Sequence, residues 1–185
     1  MASRRRRSQL MFVVGGASSG KSEVALRLAA EGIAKSAPRA FVATGEGLDE
    51  EMVMKIAKHR QSRSSVWVTA EVPVELTAWF NEQGRNYRVI LVDCLTMWLS
   101  NHCERGAKER EIVEATTTLL RAIRQVEARV VLVSNELGLG LVPADARSRR
   151  FRELAGEVNR LVAQAAGKAY FVVSGLPMSL KDGEP

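Results

Sequence analysis

Eight consecutive residues, Gly15-Gly16-Ala17-Ser18-Ser19-Gly20-Lys21-Ser22, constrain this chain more than any other feature. They fit G-x-x-x-x-G-K-[ST] and lie between an apolar run at 10–14 and a helix-period stretch at 21–35. Glycines let successive backbone N–H groups converge on one point, and a helix that starts there adds the positive end of its dipole. Such a point binds phosphate. Lys21 supplies a charge for the β and γ phosphates, and the Ser22 hydroxyl is placed to hold Mg2+. A turn that merely caps a helix is the plainer reading of the glycines, but it gives the Lys21-Ser22 pair no task.

Around this loop the chain alternates. Short apolar runs at 10–14, 40–44, 66–69, 89–93, 130–134 and 169–174 are separated by helix-period stretches at 21–35, 50–62, 74–83, 109–127 and 144–166. Pro73 and Pro143 stand where helices begin. Most of the runs are continuous rather than alternating, as in strands covered on both faces. The expected fold is α/β, a three-layer P-loop NTPase-like arrangement around a mostly parallel central sheet. One domain over 9–181 is expected, with a disordered basic tail at 1–8 and a second tail at 182–185.

Composition excludes several other classes. With 46% hydrophobic residues the chain is not of the disordered kind. Two cysteines, Cys94 and Cys103, are too few for a disulfide framework and point to a reducing compartment. No apolar run approaches the ~18 residues of a membrane span, so no stable membrane insertion is expected. The run at 10–14 is too short for a signal peptide, and a cytoplasmic location follows. The net charge is +6, of which Arg4, Arg5, Arg6 and Arg7 supply four, so the body of the chain is close to neutral. A basic run can be a nucleic-acid arm or a solvated tail. No aromatic residues are interleaved with it, and it is read as a tail with no nucleic-acid partner.

The apolar run that ends in Asp93 matches the strand whose terminal carboxylate stands near the metal in nucleotide-binding loops of this kind. His59 sits in a second constellation. On a helix over 50–62 it shares one face with Met52, Ile56 and Arg63. Lys55, Lys58, Arg60 and Arg63 surround it, and nearby cations disfavour the imidazolium. A neutral imidazole is nucleophilic, and the same cations can pair with a polyphosphate. A histidine at the edge of a core stripe is the other reading of that position. His102 reads as a surface residue after a helix, and Trp67, Trp79 and Trp98 read as core rather than as a stacking surface. Asn135, Glu136, Gly138 and Gly140 follow a strand at the ligand edge of the sheet. They admit two readings, a substrate-binding loop and a tight turn.

In order along the chain these residues resemble a known family. The phosphate loop is followed by Asp93-Cys94-Leu95-Thr96 with Trp98, Leu99 and Asn101. Then come Ser134-Asn135-Glu136-Leu137-Gly138-Leu139-Gly140-Leu141-Val142-Pro143 and Arg149-Arg150-Phe151-Arg152 with Leu154-Ala155-Gly156 and Asn159. The pattern is similar to the bifunctional adenosylcobinamide kinase/adenosylcobinamide-phosphate guanylyltransferases of cobalamin synthesis and covers 9–181.

The resemblance implies a substrate, adenosylcobinamide, that is phosphorylated from a nucleoside triphosphate, ATP or GTP. It then receives GMP from GTP through a GMP–histidine intermediate, and the matching histidine is His59. It implies nucleotide contacts at the loop residues and at Thr44, Gly45, Glu46, Arg60, Gln61, Ser62, Arg63, Glu71 and Asp93. Lys21 and His59 are the implied catalytic pair, Ser22 and Asp93 the implied Mg2+ ligands, and a homotrimer the implied assembly. The chain departs from the family pattern at Ser18, at Gly45-Glu46-Gly47, at Lys58 and at Ser64. A simpler alternative is an ATP-dependent P-loop kinase of a small molecule, without guanylyl transfer.

Overall fold

The computed structural model describes residues 9–46 and 66–183. The strands are β1 (Gln9–Gly15), β2 (Arg39–Ala43), β3 (Trp67–Glu71), β4 (Val89–Asp93), β5 (Arg129–Asn135), β6 (Lys168–Val173) and β7 (Leu176–Asp182). The helices are α1 (Lys21–Ala30), α2 (Leu76–Gln83), α3 (Leu95–Glu104), α4 (Glu109–Ile123) and α5 (Ala146–Ala165). The strands form one sheet in the order β3-β2-β4-β5-β1-β6-β7. All neighbouring pairs are parallel except β6 and β7, which form an antiparallel hairpin.

Successive side chains of a strand point to opposite faces, so one strand feeds two cores. Leu10, Phe12 and Val14 of β1, Ile90 and Val92 of β4, and Val130 and Leu132 of β5 join one apolar cluster. Leu76 and Phe80 of α2, Leu95, Trp98 and Leu99 of α3, Ile112, Leu119 and Ile123 of α4, and Leu154, Val158 and Val162 of α5 cover that face. Met11 and Val13, Val89 and Leu91, and Val131 and Val133 point the other way, against Val24, Ala25 and Ala29 of α1. This two-sided burial is why the runs are continuous, and the three-layer α/β fold stands as expected.

The elements differ from the expected ones at several points. α1 stops at Ala30, and its last turn hands over to a Glu31 whose N–H donates to the Arg27 carbonyl. No helix over 95–104 is among the expected stretches, because α3 follows β4 directly and the Cys94 side chain at its cap position accepts no hydrogen bond. β7 was not expected either. It is an edge strand containing Pro177, which such a strand tolerates. It reaches Asp182, whose carboxylate pairs with Lys168 at 3.0 Å, so the first residue of the expected tail closes a strand. The hairpin turns on Ser174 (φ 50) and Gly175 (φ 80), both left-handed, as a two-residue turn between right-twisted strands requires. His102 is a correction. It lies inside α3, half-buried, with its ring edge-on to Trp98 at 4.6 Å, and burial holds its pKa below the usual imidazole value. The expected helix at 50–62 lies outside the described residues. Trp98 is buried, and Trp79 stacks on Tyr87 at 5.9 Å, in keeping with the core reading.

Phe12 is 2% exposed in the centre of the sheet, and Val68 on the edge strand β3 is 56% exposed. Phe12→Ala is expected to cost about 3–5 kcal/mol in urea unfolding. Val68→Thr is expected to stay within about 0.5 kcal/mol. Equal losses would contradict the two-sided burial of β1.

Candidate active site

β1 carries the chain to the carboxyl edge of the sheet, and the loop after it turns back on itself. A Cβ at Gly15 would lie 2.6 Å from the Val172 carbonyl oxygen and 2.7 Å from Ser19 Oγ, so no larger residue fits there. Ser18 (φ 55) and Gly20 (φ 84) are left-handed. Gly20 occupies the cap position of α1, and no side chain caps the helix. The first turn of α1 therefore offers its N–H groups to a ligand. The Lys21 ammonium donates to the Gly16 carbonyl at 3.0 Å and so lies folded over the loop. Ser19 Oγ is buried without a hydrogen-bond partner among the described residues. The β6–β7 turn backs the loop. Gly175 N–H donates to the Ser19 carbonyl at 2.8 Å, and a Cβ on Gly20 would stand 3.0 Å from Gly175 Cα.

The strand period decides which polar residues face this loop. Val89 and Leu91 belong to the cluster on the α1 side, so Asp93 points to that side as well. The same parity places Asn135 after Val131 and Val133, and Glu71 after Trp67, on the α1 side. Gly15 pairs with Asn135, Asp93 with Val133, and Ala43 with both Glu71 and Asp93. The site is thus a row across five neighbouring strands, from β3 to β1, with the loop at one end. Electrostatics agrees. Burial, and next the Asp93 carboxylate, push the Cys94 thiol up to about 11, while the Lys21 ammonium pulls it down.

Side-chain clamps hold the edge in place. Thr44 is fully buried, and its Oγ1 donates to the Cys94 carbonyl at 2.7 Å and accepts from the Cys94 N–H at 2.8 Å. Its hydroxyl joins the loop after β2 to the end of β4 and is not offered to a ligand. Asn101 Nδ2 of α3 donates to the Thr44 carbonyl at 2.8 Å and the Pro73 carbonyl at 2.9 Å. Trp98 Nε1 donates to the Val74 carbonyl at 2.6 Å. The Glu46 carboxylate is paired with Arg105 at 2.5 Å, so the residue that caps the end of α3 also grips the loop after β2. Farther along, Thr96 Oγ1 meets Ser134 Oγ at 3.1 Å and accepts from the Asn135 N–H at 2.8 Å. Asn159 Nδ2 of α5 donates to the Asn135 carbonyl at 3.0 Å. Asn101, Thr96, Ser134 and Asn159 were not read as site residues. Asn101 would have been legible three residues after Trp98, once 95–104 was taken as a helix with a buried stripe.

The run from Asn135 to Pro143 begins with a turn. Glu136 Oε1 accepts from the Gly138 N–H, and a Cβ on Gly138 would stand 2.6 Å from that oxygen. Arg152 holds the Gly138, Gly140 and Leu141 carbonyls from α5. Leu139 and Leu141 remain 78% and 97% exposed on this turn.

Gly15 through Ser22, Gly45, Glu46, Glu71 and Asp93 therefore lie along one edge. His59, Arg60, Gln61, Ser62 and Arg63 lie outside the described residues. Ser22 and Asp93 offer one hydroxyl and one carboxylate, both hard oxygen donors. Among the described residues no cluster of three or more His, Cys, Asp or Glu could cage a metal. That donor set fits an ion such as Mg2+, which takes one or two carboxylates and keeps water and phosphate for the rest.

Cys94 carries a testable consequence. Its thiol stays protonated at pH 8 and is buried. Iodoacetamide at pH 8 is expected to leave it unmodified in the folded protein and to alkylate it in urea, as read by peptide mass mapping. Rapid native alkylation at Cys94 would show that the Asp93–Cys94 corner is open.

The chain was compared with known proteins. It is similar to a flagellar accessory protein, FlaH, of Methanocaldococcus jannaschii, with TM-score 0.57, 15% identity, and coverage of 96% of this chain and 80% of that one. It is also similar to a KaiC-like protein of Pyrococcus horikoshii, with TM-score 0.53, 13% identity, and coverage of 89% and 71%. At such identities the likeness concerns the fold alone. Among curated proteins it is 42% identical over 180 residues to the bifunctional adenosylcobalamin biosynthesis protein CobP of Pseudomonas aeruginosa, covering 94% of this chain and 98% of that protein. It is 34% identical over 184 residues to the bifunctional adenosylcobalamin biosynthesis protein CobU of Escherichia coli, covering 93% and 99%. No helix among the described residues is long and apolar enough to cross a membrane. Residues 11–180 match the family described as cobinamide kinase / cobinamide phosphate guanyltransferase, and the chain belongs to that family of bifunctional enzymes.

Proposed function

We propose that this chain phosphorylates adenosylcobinamide from ATP or GTP and then transfers GMP from GTP to the new phosphate, giving adenosylcobinamide-GDP and pyrophosphate. The observation that carries the reading is the uncapped start of α1 behind the Gly15–Gly20 turn, with Lys21 folded over that turn and Asp93 on the same side of the sheet edge. A triphosphate supplies the charge which that arrangement lacks.

In the kinase step the γ-phosphoryl passes to the substrate hydroxyl. The work is positioning and charge stabilisation, done by the loop N–H groups and by Lys21, whose ammonium leaves the Gly16 carbonyl for the phosphates. Ser22 and Asp93 would hold Mg2+, which when bound neutralises charge on the β and γ phosphates.

In the second reaction an imidazole nitrogen of His59 attacks the α-phosphorus of GTP. A P–N bond forms and the bond to pyrophosphate breaks. A phosphate oxygen of adenosylcobinamide phosphate then attacks the same phosphorus, breaking the P–N bond and releasing the histidine. Arg60 and Arg63 would take charge on the α-phosphate. Gln61 and Ser62 are assigned to the same nucleotide contact. Glu46 (held by Arg105), Gly45 and Glu71 are read as further nucleotide contacts along the same edge. The assembly is read as a homotrimer and the setting as the cytoplasm.

Product analysis with adenosylcobinamide, ATP and GTP, supplied separately and together, tests the whole reading. Adenosylcobinamide-GDP is expected only where GTP is present. ATP alone with the corrinoid is expected to stop at the phosphate. A chain that makes the phosphate but never the GDP derivative is the simpler kinase. In the same assays Lys21→Ala is expected to slow both reactions by at least about a hundredfold. His59→Ala is expected to abolish the acid-labile adduct formed from α-labelled GTP while the kinase persists. An adduct that survives in His59→Ala would remove that residue from the chemistry.

A further inference from the structure

We propose that the carboxamide of Asn135 is a catalytic group that donates a hydrogen bond to the terminal phosphoryl of the bound nucleotide. The inference rests on the proposed kinase reading and assigns it a residue.

Three observations meet at Asn135. The first is topological. β5 lies between β1, which carries the phosphate loop, and β4, which carries Asp93. A group at the tip of β5 stands between the two halves of the site. Asn135 pairs with Gly15, where the loop begins, and lies two residues beyond Val133, the partner of Asp93. By strand parity it points to the α1 side, with Asp93 and the loop.

The second is anchorage. The Asn135 N–H is held by Thr96 Oγ1 at 2.8 Å, and its carbonyl by Asn159 Nδ2 at 3.0 Å. The next N–H, of Glu136, donates to the Gly15 carbonyl at 3.0 Å. Helices α3 and α5 and the first glycine of the loop thus fix this one residue's main chain from three directions. Thr96 is itself braced by Ser134 at 3.1 Å.

The third is what remains. The Asn135 side chain is half-buried and makes no hydrogen bond among the described residues, although the residue's own N–H and carbonyl are both satisfied. The neighbouring Glu136 is engaged with its own turn at Gly138. A neutral amide with two N–H donors, rigidly carried and turned toward a phosphate cradle, suits a group that gathers charge on its equatorial oxygens as it transfers. An aspartate of the same shape would repel it.

In guanylyl transfer the same phosphoryl departs within pyrophosphate, where its charge changes less. Asn135 therefore serves the kinase step more than protein guanylylation, and the two activities of one site provide the test. Asn135→Ala and Asn135→Asp are to be assayed for kinase kcat and KM with ATP and adenosylcobinamide, for the rate of labelling by GTP, and for the urea midpoint. Each variant is expected to lose about a hundredfold or more in kinase kcat, with nucleotide KM changed less than about threefold, labelling slowed less than about tenfold, and an unchanged midpoint. A kinase kcat within about threefold of the parent overturns the proposal. So does a loss of kcat matched by a lowered midpoint, which would make Asn135 structural. If the parent chain makes no adenosylcobinamide phosphate at all, the kinase reading itself fails and the fault is not in Asn135.

Discussion

The structure depends on one arrangement of hydrogen bonds, the pairing of β5 with β1 on one side and β4 on the other. Parallel ladders fix register along the whole strand, and a slip of one residue turns every side chain to the opposite face. Here the consequence is functional as well as structural. The register that sends Val131 and Val133 into the α1-side core also brings Asn135 level with Gly15 and two residues beyond Asp93. Packing inside the sheet and chemistry at its edge are thus set by the same ladder.

The edge is rigid where it supports and open where it binds. Thr44, Asn101, Thr96 and Asn159 are buried polar groups whose bonds go to main-chain atoms of the loops after β2, β3, β4 and β5. A buried polar group without its partner costs about 1–3 kcal/mol, so each such clamp favours one loop conformation over its alternatives. The loop after β1 is treated oppositely. Its helix start has no side-chain cap, and its lysine rests on a carbonyl of its own backbone. A group left in that state is stabilised by the ligand it is waiting for.

Much of this was legible in the sequence because it follows from strong local rules. The Gly15–Ser22 loop announced itself by residue type and spacing, and the continuous runs announced a doubly covered sheet. Weaker rules carried less. α3 begins without a loop or a recognisable cap after Asp93, so its buried stripe of Leu95, Trp98, Leu99 and Asn101 went unread, and His102 with it. β7 escaped because its Leu176, Met178 and Leu180 are exposed and Pro177 interrupts the strand pattern. Thr44 stands at the edge, and nothing local shows that its hydroxyl turns inward to Cys94. The clamps join residues from 24 to 57 positions apart, which no periodicity displays.

One cradle serving attack at γ and attack at α asks for a rigid phosphate seat and two separate nucleophiles. In the proposed reading the β1 loop and the tips of β4 and β5 supply the seat. The most direct measurement is a crystal structure with a non-hydrolysable GTP analogue and Mg2+. The account requires the β and γ phosphates on the N–H groups of 16–22 on the α1 side, Lys21 released from Gly16, and Asn135 Nδ2 in hydrogen-bond contact with a γ oxygen. A triphosphate bound on the other face of the sheet, or one seated in the loop with Asn135 turned away, would contradict it.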